Sequence, residues 1–171
     1  MRILGIDPGT ATTGYGAIVT KRKSDKFVCV EYGIIHTSVD LSQSERLKKI
    51  EREILKLINK FEPHLIAIER LYFFKNSKTA ISVSQAKGVI LLAAAKKKVP
   101  IIEFTPLEVK MTIVGYGRAK KTQIQKMIKT LLNLEETPKP DDAADALALA
   151  ICAHFANFSL LKNVEKTLDK G

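Results

Sequence analysis

Residues 140–150 read Pro140-Asp141-Asp142-Ala143-Ala144-Asp145-Ala146-Leu147-Ala148-Leu149-Ala150. The stretch has the form of the opening of an apolar helix, with three carboxylates in its first turns. Asp142 and Asp145 are three residues apart, and Asp141 and Asp145 are four apart. Either spacing stacks two acids on one helix face, with Cβ atoms roughly 5–6 Å apart. Like charges at that separation repel, and the intervening alanines are too small to shield them. The segment alone has an ordinary explanation: acids in a first helical turn favour the positive end of the helix dipole, each by about 0.3–1 kcal/mol. Proline is also a common helix opener. Whether the acids do more depends on what the rest of the chain brings to them.

The chain has 171 residues, enough for one domain with a full-sized core. Hydrophobic residues make up 46% and charged residues 27%, an ordinary globular composition. No apolar run approaches the ~20 residues needed to span a bilayer. The start, Met1-Arg2-Ile3-Leu4-Gly5, leads straight into a strand-like segment without the layout of a secretion signal. The expectation is a cytoplasmic protein with no membrane partner. Lys and Arg total 28 against 18 Asp and Glu, a formal charge of +10. That excess points to an anionic partner, nucleic acid first. Cys29 and Cys152 have no motif spacing and read as buried thiols, not a disulfide pair. His36, His64 and His154 lack zinc-site spacing, so any metal here is expected on oxygen ligands.

Residues 2–7 form a short strand ending on Asp7, broken by Pro8-Gly9-Thr10. Residues 14–19 return antiparallel, and Phe27 to His36 alternates as a third strand. Ser42-Gln43-Ser44-Glu45 is a capping box. It opens an amphipathic helix with Leu47, Ile50, Ile54, Leu57, Ile58 and Phe61 on one face, ended by Glu62-Pro63. Residues 64–69 make a nearly all-apolar fourth strand, as a central strand should be, and it too ends on an acid, Glu69. An aromatic loop, Tyr72-Phe73-Phe74, precedes a helix from Ser77 to Lys98. The second half of that helix is apolar all round, so it is expected to be buried on every side or covered by a partner chain. Residues 100–104 form the fifth strand, and Thr105-Pro106-Leu107-Glu108 is a second capping box. The basic segment Arg118 to Lys121 reads as a mobile linker to a helix over 123–134. The acidic helix then ends near Asn157. Residues 1–158 are expected to be one domain and 159–171 a polar, flexible tail.

This order predicts an α/β domain with a mixed five-stranded sheet: an antiparallel meander plus parallel strands, flanked by helices. Right-handed crossovers place strands four and five parallel to strand one. Asp7 and Glu69 then share the carboxyl edge of the sheet, where open α/β sheets bind ligands. Asp7, Glu69, Asp142 and Asp145 are therefore expected to converge. Four carboxylates in one pocket raise one another's pKa and destabilise the fold unless cations join them. All-oxygen donors favour Mg²⁺, with Mn²⁺ as a substitute. Two such ions per site can clamp the attacking water and the leaving oxygen of a phosphodiester.

The motifs Gly5-Ile6-Asp7-Pro8-Gly9-Thr10 with Gly14-Tyr15-Gly16, Ala67-Ile68-Glu69-Arg70, Gln85-Ala86-Lys87-Gly88, Val114-Gly115-Tyr116-Gly117 and Asp142-Ala143-Ala144-Asp145-Ala146-Leu147-Ala148 resemble the RuvC family. These are bacterial Holliday-junction resolvases with an RNase H-like fold. The resemblance runs from residue 1 to about 157, nearly the whole chain. It implies a homodimer in which each subunit nicks one of two opposed strands at a four-way DNA junction, leaving 5′-phosphate and 3′-hydroxyl ends. It implies that Asp7, Glu69, Asp142 and Asp145 are the catalytic, metal-binding acids. Some relatives carry His at the position of Asp142; here the set is fully carboxylate. Asp141 falls one residue before the motif and is assigned to the dipole and local field. The resemblance also implies that Tyr72 stacks on bases, that Lys110 and Lys121 bind DNA or steady transition-state charge, with Arg118 beside them, and that the helix 77–98 makes the dimer contact. RuvA and RuvB, the branch-migration proteins, are the implied partners. Three other readings compete. An actin-like ATPase would need a second phosphate loop, which the chain lacks. A junction-binding protein with a decayed site is disfavoured by the four intact acids. A nuclease for RNA–DNA hybrids would share the acids and the basic surface.

Overall fold

A computed structural model describes the backbone of residues 1–20, 26–70 and 77–168, and their side chains except for 77–79 and 157–168. Strands β1 (Arg2–Asp7), β2 (Thr12–Thr20) and β3 (Phe27–His36) form the meander. Helix α1 (Gln43–Phe61), strand β4 (Leu65–Glu69), helix α2 (Ser77–Lys96) and strand β5 (Ile101–Phe104) follow, and then α3 (Pro106–Val114), α4 (Lys121–Leu131) and α5 (Asp141–Leu168). The five-stranded sheet has the order β3-β2-β1-β4-β5. β1 is antiparallel to β2 and parallel to β4, and β5 is parallel to β4, as the sequence predicts.

Strand alternation sorts the core into two layers. Leu4, Ile6, Ile66 and Ile68 join Ile50 and Ile54 of α1 and Ile90 of α2. Ile3, Ala67 and Phe104 face the other way, onto Ala144, Leu147 and Ile151 of α5 with Ile124 and Ile128 of α4. Asp7 and Glu69, each two or four residues further along the same alternation, belong to the α5 face. Both predicted capping boxes form: the Ser42 hydroxyl accepts from the Glu45 N–H, and Thr105 does the same for Glu108.

The contact between α5 and the sheet is unusually close because glycines line it. A Cβ added at Gly5 would lie 1.9 Å from the Ala146 carbonyl oxygen, and one at Gly14 2.0 Å from that of Asp142. One at Gly16 would meet the Leu147 side chain at 2.7 Å. Gly5 pairs with Gly16 across β1 and β2, and Asp7 pairs with Gly14. The glycines thus form a groove, and the alanines of α5 let the helix backbone sit in it.

Three expectations need correction. The linker Arg118 to Lys121 is anchored, not mobile: Ala119 is buried in the core, its N–H bonds the Tyr116 carbonyl at 3.0 Å, and Lys121 already opens α4. Of the two alternatives expected for α2, burial on every side or cover by a partner chain, the first does not hold: Ile81 and Leu92 are 67% and 52% exposed on one face. Helix α5 does not stop near Asn157 but continues to Leu168, so most of the predicted tail from residue 159 is helical. Leu160, Leu161, Val164 and Leu168 keep the helical repeat, and no Pro or Gly interrupts it before Gly171. Both cysteines are free, Cys152 buried and Cys29 half-buried. Among the described residues no helix is long and apolar enough to cross a membrane.

The glycine groove makes a direct prediction. Gly5→Ala forces backbone against backbone and should destabilise the fold by about 1–3 kcal/mol or more. That is a drop of about 2–4 °C in melting temperature per kcal/mol. An unchanged melting temperature would mean that α5 does not press on β1.

Candidate active site

Asp7 and Glu69 stand side by side because Ile6 and Ile68 are partners in the parallel pair of β1 and β4. Asp142 enters from α5, its carbonyl against Gly14, the partner of Asp7. One turn on, Asp145 faces the same cleft. That cleft, of about 220 Å³, is lined by Asp7, Glu69 and Asp145, by Lys110 and Lys121, and by an apolar wall that includes Val109, Ile124 and Leu149. Glu69, Asp145 and Asp142 all repel Asp7, and Asp145 also repels Glu69 and is repelled by Asp142.

The electrostatics record that crowding. Asp7 is pushed up to about 8, chiefly by burial, then by Glu69, Asp145 and Asp142, with Lys121 opposing. Burial and the charge of Asp145 raise Glu69, opposed by Lys121 and Lys87. Burial raises Asp145 as well, against the hydrogen bond it accepts from Lys121. Lys121 donates from Nζ to Asp145 Oδ2 at 2.8 Å and stands 3.3 Å from Asp141 Oδ2. Burial works against its charge, but these carboxylates outweigh it and hold Lys121 above the usual lysine range. Asp141 is lowered by the hydrogen bond it accepts from Gln125 Nε2, 2.8 Å, and by Lys121.

The donor set suits a hard divalent cation: oxygen atoms only, and more negative charge than the half-buried site can keep ionised without help. Among the described residues no three His, Cys, Asp or Glu side chains stand close enough in this arrangement to hold an ion. The cation that Asp145 meets is the Lys121 ammonium.

Of the other predicted residues, Lys110 lies in the cleft wall, and Arg118 is exposed on the turn between α3 and α4, outside the residues that line the cleft. Tyr72 lies outside the described residues. Two features escaped the sequence reading. Asp141 is a partner of Lys121, a contact that needs α4 and α5 side by side. Lys87 of α2 donates to the Glu69 main-chain carbonyl at 3.2 Å and to Glu103 Oε2 at 2.8 Å. The only sequence signal for it was its place in the Gln85–Gly88 motif.

A five-stranded mixed sheet with acids at two adjacent parallel strand ends and on the helix crossing them defines an RNase H-like nuclease. The chain matches the family described as "Crossover junction endodeoxyribonuclease RuvC" over residues 3–154. A relative of that description from Caldicellulosiruptor saccharolyticus is 53% identical over 161 residues, covering 94% of this chain and 96% of the relative. The structure of Thermus thermophilus RuvC superposes with a TM-score of 0.85 at 32% identity, covering 93% of this chain and 97% of that one. The T. thermophilus RuvC complex with Holliday junction substrate gives 0.88 at 31% identity, covering 93% and 96%. This chain belongs to the RuvC family.

The charge crowding has a testable sign. Asp7 holds its proton more tightly when folded, up to about 8, than at its ordinary value of 3.8. Between those limits the folded chain binds more protons than the unfolded one, so its stability falls as pH rises through that window. Without metal, Asp7→Asn should therefore melt several degrees above the parent at about pH 8–9 and close to it at about pH 5. Mg²⁺ should stabilise the parent and not the variant. A variant less stable than the parent at the higher pH would contradict this account of Asp7.

Proposed function

We propose that this RuvC-family protein resolves four-way DNA junctions by metal-dependent phosphodiester hydrolysis, in recombination and repair. It acts as a homodimer whose two clefts nick opposed strands symmetrically and leave 5′-phosphate and 3′-hydroxyl ends. The observation that carries the reading is the cleft lined by Asp7, Glu69 and Asp145 with two lysines, and Asp142 close enough to repel Asp7, on a chain of this family.

Asp7, Glu69, Asp142 and Asp145 are the catalytic acids and hold the metal, two Mg²⁺ per active site, with Mn²⁺ able to substitute. Bound there, the ions would activate water and neutralise charge on the phosphate. The protein's own part is to exclude competing contacts and to hold charge. Asp7, flanked by Glu69 and the first turns of α5, would serve both ions. Lys121, which lines the cleft and pairs with Asp145, would give up that carboxylate to a bound cation and be free to meet the phosphate. Lys110 lines the same wall, and Arg118 lies on the adjoining exposed turn, where it can contact the DNA backbone. Tyr72 stacks on a base at the junction. The +10 charge favours binding to the phosphate backbone.

The dimer face is assigned to α2. Ile81 and Leu92 are exposed on one side of it, and a Cβ at Gly88 would meet nothing within 4 Å, which leaves that side open to a second helix. RuvA and RuvB are the proposed partners, and the bacterial cytoplasm, where the chromosomal substrate lies, the proposed place of action.

With a synthetic four-way junction and Mg²⁺, Asp7→Asn should lose cleavage by about 10³-fold or more, since metal-borne charge stabilisation is worth several kcal/mol. Junction binding should persist, because the phosphate contacts lie elsewhere. Retained cleavage would count against the site. Tyr72→Ala should lower cleavage more than binding, within the ~1–3 kcal/mol of one stacked base; equal losses would argue against stacking. Leu92→Glu should convert the dimer to monomers by sedimentation; a dimer unaffected by that charge would move the interface away from α2.

A further inference from the structure

We infer that Lys87 is a positioning residue for Glu69: the Lys87–Glu103 ion pair, on the reverse face of the sheet, fixes the end of β4 so that the Glu69 carboxylate meets its cation. The inference rests on the reading of Glu69 as a metal ligand given above.

Lys87 is a lysine where a lysine is expensive. Its side chain is only 11% exposed, and that of Glu103 is 32% exposed. A lysine so covered needs partners to keep its charge, and a methionine or leucine would fill the space without that demand. The two partners it has are specific. Nζ lies 2.8 Å from Glu103 Oε2 and 3.2 Å from the main-chain carbonyl of Glu69. Glu103 is held in β5 opposite Ile68, the residue before Glu69. Arg70 Nε, 3.8 Å from the same carboxylate, adds a weaker contact just past the strand end.

The place of that carbonyl matters. Glu69 is the last residue of β4, and the Arg70 N–H to the Phe104 carbonyl closes its pairing with β5. A strand end is free to twist once its ladder stops. The peptide plane after Glu69 is held at its N–H by the Phe104 carbonyl and at its C=O by Lys87 Nζ, so that Lys87 completes the pinning that sets the direction of the Glu69 side chain on the opposite face. Lys87 therefore steadies the acid from behind, without entering the cleft.

The rest of the motif supports this division of labour. Gln85 accepts from Gln43 Nε2 at 2.8 Å and ties α2 to α1. Ala86 is fully buried against the sheet, and Gly88 opens on the far side of the helix. Each residue of Gln85–Gly88 has its own direction, and that of Lys87 is toward the site.

The test uses Mn²⁺ as the probe, its binding to the DNA-free full chain followed by electron paramagnetic resonance, alongside junction cleavage. Supporting groups behind metal ligands typically change affinity or activity by about 10–100-fold. Lys87→Met should weaken Mn²⁺ binding about tenfold or more and lower kcat while KM for the junction stays within about twofold. Lys87→Arg, which keeps a donor, should restore most of both. Glu103→Gln removes only one charge and serves as the second variant should Lys87→Met fold poorly; it should shift both readouts the same way. Gln43→Ala, which loosens α2 without touching Glu69, should lower the melting temperature and leave Mn²⁺ affinity at the parent value. Parent-like Mn²⁺ affinity in both Lys87→Met and Glu103→Gln, or a Gln43→Ala loss equal to theirs, overturns the inference. If Asp7→Asn also binds Mn²⁺ like the parent, the metal reading of the site falls instead.

Discussion

The structure depends on how near α5 can come to the sheet. Gly5, Gly14 and Gly16 remove three side chains from one face of β1 and β2, and Ala143, Ala144, Ala146 and Ala150 keep the facing helix thin. The helix backbone then rests on the strand backbone. The first turns of α5 can reach the end of β1 only because of that approach. A larger residue at Gly14 would drive Asp142 away from Asp7, and the carboxylates would no longer share one space.

The close approach has an electrostatic cost. Asp7 is pushed up to about 8 by burial and by its three acidic neighbours. The core gains from tight helix–sheet packing, while the acids oppose it at the one edge where they meet. Lys121 offsets part of this from the solvent side, shared between Asp145 and Asp141, and Lys87 contributes from beneath the sheet. A divalent cation held by these acids would offset it more fully. The site is thus strained in the direction that metal binding would relieve, and on the proposed reading a chain carrying an ion there would be more stable than one without.

Much of this was legible in the residues. The alternation of β3, the apolar run of β4, the two capping boxes and the helical stripe of α1 fixed the element order, because each is local chemistry. The acids at the ends of β1 and β4 were legible as a pair once the crossovers were right-handed. The glycine groove was not, since Gly5 and Gly14 acquire meaning only when α5 is laid across them. The Lys121–Asp141–Gln125 contacts and the Lys87–Glu103 pair were hidden for the same reason: each joins residues from separate elements. The linker at Arg118 looked mobile because its basic residues mask Ala119, a single small side chain that anchors it. Which side of α2 lies exposed on the single chain was not legible, because an apolar sequence gives no hint of which face lacks a neighbour.

The central claim is that folding gathers four separated carboxylates around divalent cations. The most direct measurement is the anomalous scattering of Mn²⁺ in crystals of the full chain. The account predicts two peaks about 3.5–4 Å apart, bounded by Asp7, Glu69, Asp142 and Asp145, with Lys121 displaced from Asp145. Mn²⁺ bound away from these four side chains, or Lys121 still paired with Asp145 at saturating Mn²⁺, would contradict it.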